Sequence, residues 1–150
     1  MFKFFYLTII LIKPFSDFSQ HYSDLFENVV VYFESEWDEI RTAASFAIGN
    51  LAVGSKQYLP KLINLVQSNT NLRYLSLQSL KEVITYSLSS LNEILENIYN
   101  ILFEISKDED ESTRNVAAEC LGKLAISNPI EYLPKLKVGL FFFTERKNFN

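Results

Sequence analysis

The stretch ESTRNVAAECLGKLA, residues 111–125, decides the fold, because related patterns occur upstream as EIRTAASFAIGNLA at 39–52 and, more loosely, at 71–84. When Arg41, Arg73 and Arg114 are aligned, small or apolar residues follow at spacings that lie on one face of a helix. The members of this predicted buried face are Ala44, Ala47, Ile48 and Leu51, then Ser76, Ser79, Leu80 and Val83, then Ala117, Cys120, Leu121 and Leu124. The chain is therefore built on an internal repeat.

Each repeated helix follows another amphipathic stretch, which predicts helix pairs at about 22–54, 58–87 and 91–127 and the start of a fourth pair at 130–138. The motif YLPKL at 58–62 recurs letter for letter at 132–136, and Pro60 suits the first turn of a helix. Antiparallel helix pairs repeated in this way are typical of an α-solenoid. The sequence thus predicts an all-α array of about three pairs plus the start of a fourth. The aligned arginines are 32 and then 41 residues apart, as expected for irregular HEAT-like repeats.

The two ends depart from the repeat, which leaves 21–138 as the predicted array. Residues 1–20 contain the apolar run Phe4–Ile12, which is shorter than the roughly 20 residues that span a bilayer. That run resembles the centre of a secretory signal, although no small-residue cleavage site follows it. Residues 139–150 form a phenylalanine-rich tail. The apolar ends either cap the array or promote self-association, since terminal repeats need polar outer faces.

Composition narrows the class of protein. The net charge of −4 and the pI near 5.0 supply no basic stripe, so nucleic acid is not an expected partner. Four glycines and four prolines are too few for the many tight turns of an all-β domain. The single cysteine excludes an internal disulfide framework and fits a reducing compartment, so we expect a cytoplasmic or nuclear location. We expect no membrane partner. A secreted or membrane-associated helical protein stays open as the alternative, if residues 1–12 act as a signal.

No residue pattern points to catalysis. His21 is the only histidine and stands beside no nucleophile, so neither a catalytic triad nor a multi-histidine metal site is available. Cys120 falls on the buried face, where a thiol behaves as a small hydrophobe. The acidic run 107–111 lacks the glycine and ligand spacing of an EF-hand, and no glycine-rich phosphate loop is present. We therefore expect a protein that is not an enzyme and that has no catalytic, metal or cofactor site.

The second helix of each pair begins with an arginine, and Arg41, Arg73 and Arg114 form a ladder predicted to align neighbouring repeats. Asp38 and Asp110 are available as carboxylate partners. Asp38 is also predicted to cap the helix that begins near Glu39, and residues 111–112 to form the capping turn of the last long helix.

Partner contacts are predicted on the second helices, opposite their buried faces, because these helices line the concave side of such arrays. We call the following residues the predicted contact surface: Thr42, Phe46, Tyr74, Gln78, Lys81, Asn115, Glu119 and Lys123. Phe46 and Tyr74 are the favoured anchors, since aromatic residues dominate interface energetics. The alternative is that both rings pack between adjacent helices.

Three blocks in the same order resemble the cullin-associated and neddylation-dissociated proteins, which are long HEAT-repeat solenoids. They are RTAASFAIGNLAVG at 41–54, RYLSLQSLKEVI at 73–84 and TRNVAAECLGKLAISNP at 113–129, and the resemblance covers about residues 25–137. It implies a non-enzymatic regulator that binds a cullin–RING complex and promotes exchange of substrate receptors on cullin–RING ubiquitin ligases. Another helical scaffold, of the nuclear-transport or phosphatase-scaffold type, stays open as the alternative.

Overall fold

The computed structural model describes residues 17, 24–68 and 71–147, with side chains except at Ser90 and at 140–147. Helices make up most of this part of the chain, and no strand occurs in it. The helices are α1 (Leu25–Val30), α2 (Asp38–Gly54), α3 (Leu59–Ser68), α4 (Arg73–Ser87), α5 (Leu95–Ile105), α6 (Glu111–Ser127) and α7 (Pro129–Lys147). Short 3-10 turns at Val31–Glu34, Lys56–Tyr58 and Leu88–Leu91 continue α1, precede α3 and follow α4. The predicted all-α fold is confirmed.

The helices form the predicted repeat array. Helix α1 packs on α2, α3 on α4 and α5 on α6, while α7 begins a fourth pair against α6. The second helices also pack in series, α2 on α4 and α4 on α6, so one continuous core runs along the array. Ile48, Leu80 and Leu124 belong to this core and are at most 1% exposed, as the aligned spacing predicts.

Small residues bring α2 and α4 close together. Gly49 faces α4 so tightly that a Cβ added there would lie 2.7 Å from Glu82 Cβ and 3.0 Å from the Ser79 carbonyl oxygen. The Ser79 hydroxyl, itself buried, donates to the Ser45 carbonyl oxygen at 2.8 Å. Serine therefore serves in this core because its hydroxyl finds backbone acceptors, which offsets the cost of burying a polar group.

Both capping predictions were wrong by one residue. The last non-helical residue before α2 is Trp37, whose ψ of 121° is extended, and Asp38 already belongs to the helix. Because a capping side chain must come from the last non-helical residue, the Asp38 carboxylate cannot cap and instead pairs with Arg41. The cap of α6 is Asp110 rather than 111–112, since Asp110 Oδ2 accepts from the Thr113 N–H at 2.6 Å.

The last helix starts at Pro129 and contains Pro134, and its backbone continues through 139, where the repeat pattern in the sequence stops. Apart from residue 17, the predicted apolar segment 1–20 lies outside the described residues, as do His21 and the tail from 148 onward. The predictions of caps, a signal or self-association at the ends therefore stay predictions. Within the described residues, none of the helices is both long and apolar enough to cross a membrane.

Candidate protein-interaction surface

The predicted contact surface lies on the outward-facing sides of α2, α4 and α6. Phe46 is 41% exposed and Tyr74 is 40% exposed, so neither ring is enclosed between helices. Thr42, Asn115 and Glu119 are exposed as well, whereas Gln78, Lys81 and Lys123 are half-buried. The spacing that buries one face of each helix necessarily presents these residues on the other.

Two side-chain contacts order this surface. Gln78 Nε2 donates to the Tyr74 hydroxyl at 3.1 Å, one turn apart on α4, which orients the aromatic ring. Lys81 Nζ lies 3.2 Å from Glu119 Oε2, so an ion pair joins α4 to α6 across neighbouring repeats. Such a pair adds only about 0–1 kcal/mol to stability, and its main effect is to fix the spacing of two surface elements.

Glu82 is a member of this region that the sequence reasoning missed. Burial raises the pKa of its carboxyl, while the nearby lysines Lys81 and Lys123 oppose that rise and Glu119 adds to it. Its Cβ fills the space left by Gly49 on α2. The sequence contained one signal for this contact: in the alignment of repeats, Gly49 on α2 falls next to the position of Glu82 on α4.

Trp37 was missed too, and it is the aromatic side chain most exposed in this part of the array, at 66%. It precedes α2, at the same end of the second helices as Tyr74 and Asp110. A hollow of about 520 Å³ adjoins Tyr74 and is also lined by Arg73, Asp108 and Asp110. Hydrogen bonds lower the pKa of both carboxyls. For Asp108 the largest contribution comes from the Asp110 N–H, and for Asp110 it comes from Thr113.

The three ladder arginines use different partners. Arg41 pairs with Asp38 of its own helix and donates to the Ser35 carbonyl oxygen at 2.5 Å. Arg73 reaches the following repeat, where its Nη1 lies 2.6 Å from Asp108 Oδ2. The prediction of Asp110 as an arginine partner was wrong, because its carboxylate caps α6.

Arg114 donates to backbone oxygens, at 2.8 Å to Asp108 and 2.7 Å to Glu109. It therefore braces the turn before α6, while Arg73 is the ladder member that ties two repeats together.

Cys120 lies in the core, as predicted, with no exposed surface. Burial raises the pKa of its thiol to about 12, so the thiol is not ionised near neutrality. Among the described residues, no three histidine, cysteine or acidic side chains cluster as metal ligands would. Aromatic rings, amides and paired charges are what this surface offers, and such groups suit recognition of another polypeptide.

Comparison with known proteins places the chain among relatives with a common name. It is 40% identical over 115 residues to "Cullin-associated NEDD8-dissociated protein 1" of Arabidopsis thaliana, a match that covers 73% of this chain and 9% of that protein. The Drosophila melanogaster protein of that name is 39% identical over 121 residues, with coverages of 76% and 10%.

"Cullin-associated NEDD8-dissociated protein 2" of Mus musculus is 31% identical over 105 residues, covering 69% of this chain and 8% of that protein. The chain thus spans about a tenth of the length of these relatives. No protein-family model matches it.

Proposed function

Because the chain belongs to the cullin-associated NEDD8-dissociated protein family, we propose that it is a non-enzymatic scaffold that binds a cullin–RING complex. The observation that carries this proposal is the 39–40% identity to two relatives whose names state their association with cullins. The exposure of Phe46 and Tyr74 on the second helices supports it. We propose further that binding promotes exchange of substrate receptors, and that it takes place in the cytoplasm or nucleus.

The contact surface suits such a partner for physical reasons. Phe46 and Tyr74 present aromatic area with few rotatable bonds, which costs little entropy when they are covered. The Gln78 hydrogen bond restricts Tyr74 before binding, and this preorganisation lowers the cost further. Lys81, Glu119 and Lys123 supply charges of both signs that can select the orientation of the partner.

A pull-down with purified cullin–RING complex tests the proposal. We expect the chain to bind the complex that lacks the ubiquitin-like modifier and not the complex that carries it. The double variant Tyr74→Ala with Lys123→Glu should lose at least tenfold in affinity, because truncation of an interface anchor costs about 2 kcal/mol or more. Helicity should be unchanged, since Tyr74 is exposed and the half-buried Lys123 lies on the outward side of α6, away from the core.

A matched control comes from the same helix. Tyr86 is 59% exposed and lies outside the predicted contact surface, so Tyr86→Ala should bind as the parent does. Failure of the parent chain to bind either form of the complex would refute the cullin proposal. If the parent binds and the double variant binds equally well, the partner uses another surface.

A further inference from the structure

A buried aromatic residue recurs once per repeat at the first helices. Phe26, Tyr58, Tyr99 and Tyr132 are between 1% and 6% exposed. The first three precede the ladder arginines Arg41, Arg73 and Arg114 by the same interval along the sequence. They therefore occupy equivalent positions in successive repeats. If all junctions between repeats were alike, these residues would all make the same contacts.

Two of the three junctions do share one set of contacts. The rings of Phe26 and Tyr58 stack at 5.9 Å between centroids, and Lys61 Nζ lies 5.9 and 6.0 Å from the two ring centroids. The same lysine is 2.5 Å from Glu27 Oε1 on α1. We call this arrangement of two stacked rings, a lysine and a glutamate the aromatic clasp.

The second clasp joins α5 to α7. Tyr99 and Tyr132 stack at 5.5 Å, Lys135 Nζ lies 5.5 and 5.2 Å from their centroids, and the same lysine pairs with Glu96. Both lysines belong to the YLPKL motif, so the repeated sequence makes the same contacts with the two rings, although the glutamates come from different positions relative to those rings and Lys135 also pairs with Glu131. Each clasp combines aromatic stacking, cation–π attraction and an ion pair, which add up although each alone is modest.

The middle junction, between α3 and α5, lacks a clasp among the described residues. Tyr58 and Tyr99 do not stack there, and Leu102, fully buried, stands where the clasp lysine would follow Tyr99. A cleft of about 480 Å³ lies between the two helices, larger than the hollow of about 330 Å³ beside the first clasp. Arg73 and Asp108 line this cleft, and their ion pair crosses the junction.

We infer that the array flexes at this middle junction, with α1–α4 and α5–α7 moving as two bodies and the Arg73–Asp108 pair holding the cleft closed. The contact between α4 and α6, with its Lys81–Glu119 pair, acts as the pivot, because these second helices stay packed together when the first helices α3 and α5 move apart. Opening the cleft therefore changes the curvature of the surface formed by the second helices. Such motion is a hinge, since one junction absorbs it while the clasped junctions stay rigid.

Distances between spin labels on the full chain test this inference. Asn64 on α3, Asn100 on α5 and Asn28 on α1 are exposed, so cysteines there accept nitroxide labels, while buried Cys120 does not. We expect a broader distance distribution for the pair 64 with 100, across the cleft, than for the pair 28 with 64, across a clasp. Asp108→Asn should broaden the first distribution and shift it to longer distances, and leave the second unchanged.

The chosen variant is mild, because an asparagine oxygen can still accept from the Asp110 N–H as Asp108 Oδ1 does at 3.0 Å. Asp38→Asn is the matched control, since it removes an arginine pair confined to one helix and should alter neither distribution. Equal widths for the two label pairs would overturn the inference. So would a cross-cleft distribution that Asp108→Asn leaves as it was in a folded protein.

Discussion

The glycines at the same repeat position, Gly49 on α2 and Gly122 on α6, allow the packing of neighbouring repeats to be measured by one substitution made twice. An alanine Cβ at Gly49 would lie 2.7 Å from Glu82 Cβ and 3.0 Å from the Ser79 carbonyl oxygen. Neither atom is the end of a flexible side chain, so α2 and α4 must separate. At Gly122, no atom of the described residues lies within 4 Å of the added Cβ.

The magnitudes follow from two terms. Replacing a helical glycine by alanine stabilises a helix by about 0.8–1.0 kcal/mol at either site. Gly49→Ala additionally overpacks a helix interface, which typically costs about 1–3 kcal/mol. We therefore expect Gly122→Ala to raise the free energy of unfolding by about 0.8–1.0 kcal/mol. Gly49→Ala should be less stable than Gly122→Ala by about 1–3 kcal/mol, because the helix terms cancel.

Urea denaturation followed by circular dichroism measures this difference, provided that the dependence of unfolding free energy on denaturant is unchanged. In thermal unfolding the two variants should differ by roughly 2–4 °C per kcal/mol for a chain of this size. If Gly49→Ala is as stable as Gly122→Ala, α4 does not approach α2 as closely as described, and the reasoning is refuted.

Two further predictions concern a buried thiol and a half-buried carboxyl. Cys120 should not react with a thiol reagent at pH 8 in the folded protein and should react fully in denaturant, because burial raises its pKa to about 12; rapid labelling of a folded chain would contradict its place in the core. Glu82→Gln should raise the melting temperature at pH 7, since partial burial raises the pKa of the half-buried Glu82 above its ordinary 4.5 and ionisation of this carboxyl opposes folding as pH rises from the ordinary pKa to the raised one. The gain should vanish below pH 4, where the parent carboxyl is protonated; a gain that persists there would assign the effect to packing.

The repeated helices were predictable because burial imposes a period on the sequence. Ala44, Ala117 and Cys120 lie in the core where the aligned spacing put them. The ends of α2 and α6 were less predictable, since the start of a helix depends on the backbone angles of one residue. The extended Trp37, rather than the more suitable side chain of Asp38, occupies that position at α2.

Contacts between repeats were beyond the sequence for a different reason. The Arg73–Asp108 and Lys81–Glu119 pairs join residues that are 35 and 38 positions apart, so they depend on the rotation of one helix pair relative to the next. A helical period fixes the face on which each side chain lies but not that rotation. The predicted contact surface thus followed from the period, and its ordering contacts did not.

The close approach of α4 to Gly49 also restricts how α2 and α4 can pair when the chain folds. Residues four apart share a face of a helix, so sliding α4 by one turn, about 5.4 Å, would bring Glu82 against the side chain of Ser45 or Val53. Because Gly49 has no side chain, the neighbouring helix can approach this closely only when Glu82 lies opposite it. Misaligned pairings of α2 and α4 therefore carry an overpacking cost that the aligned pairing avoids.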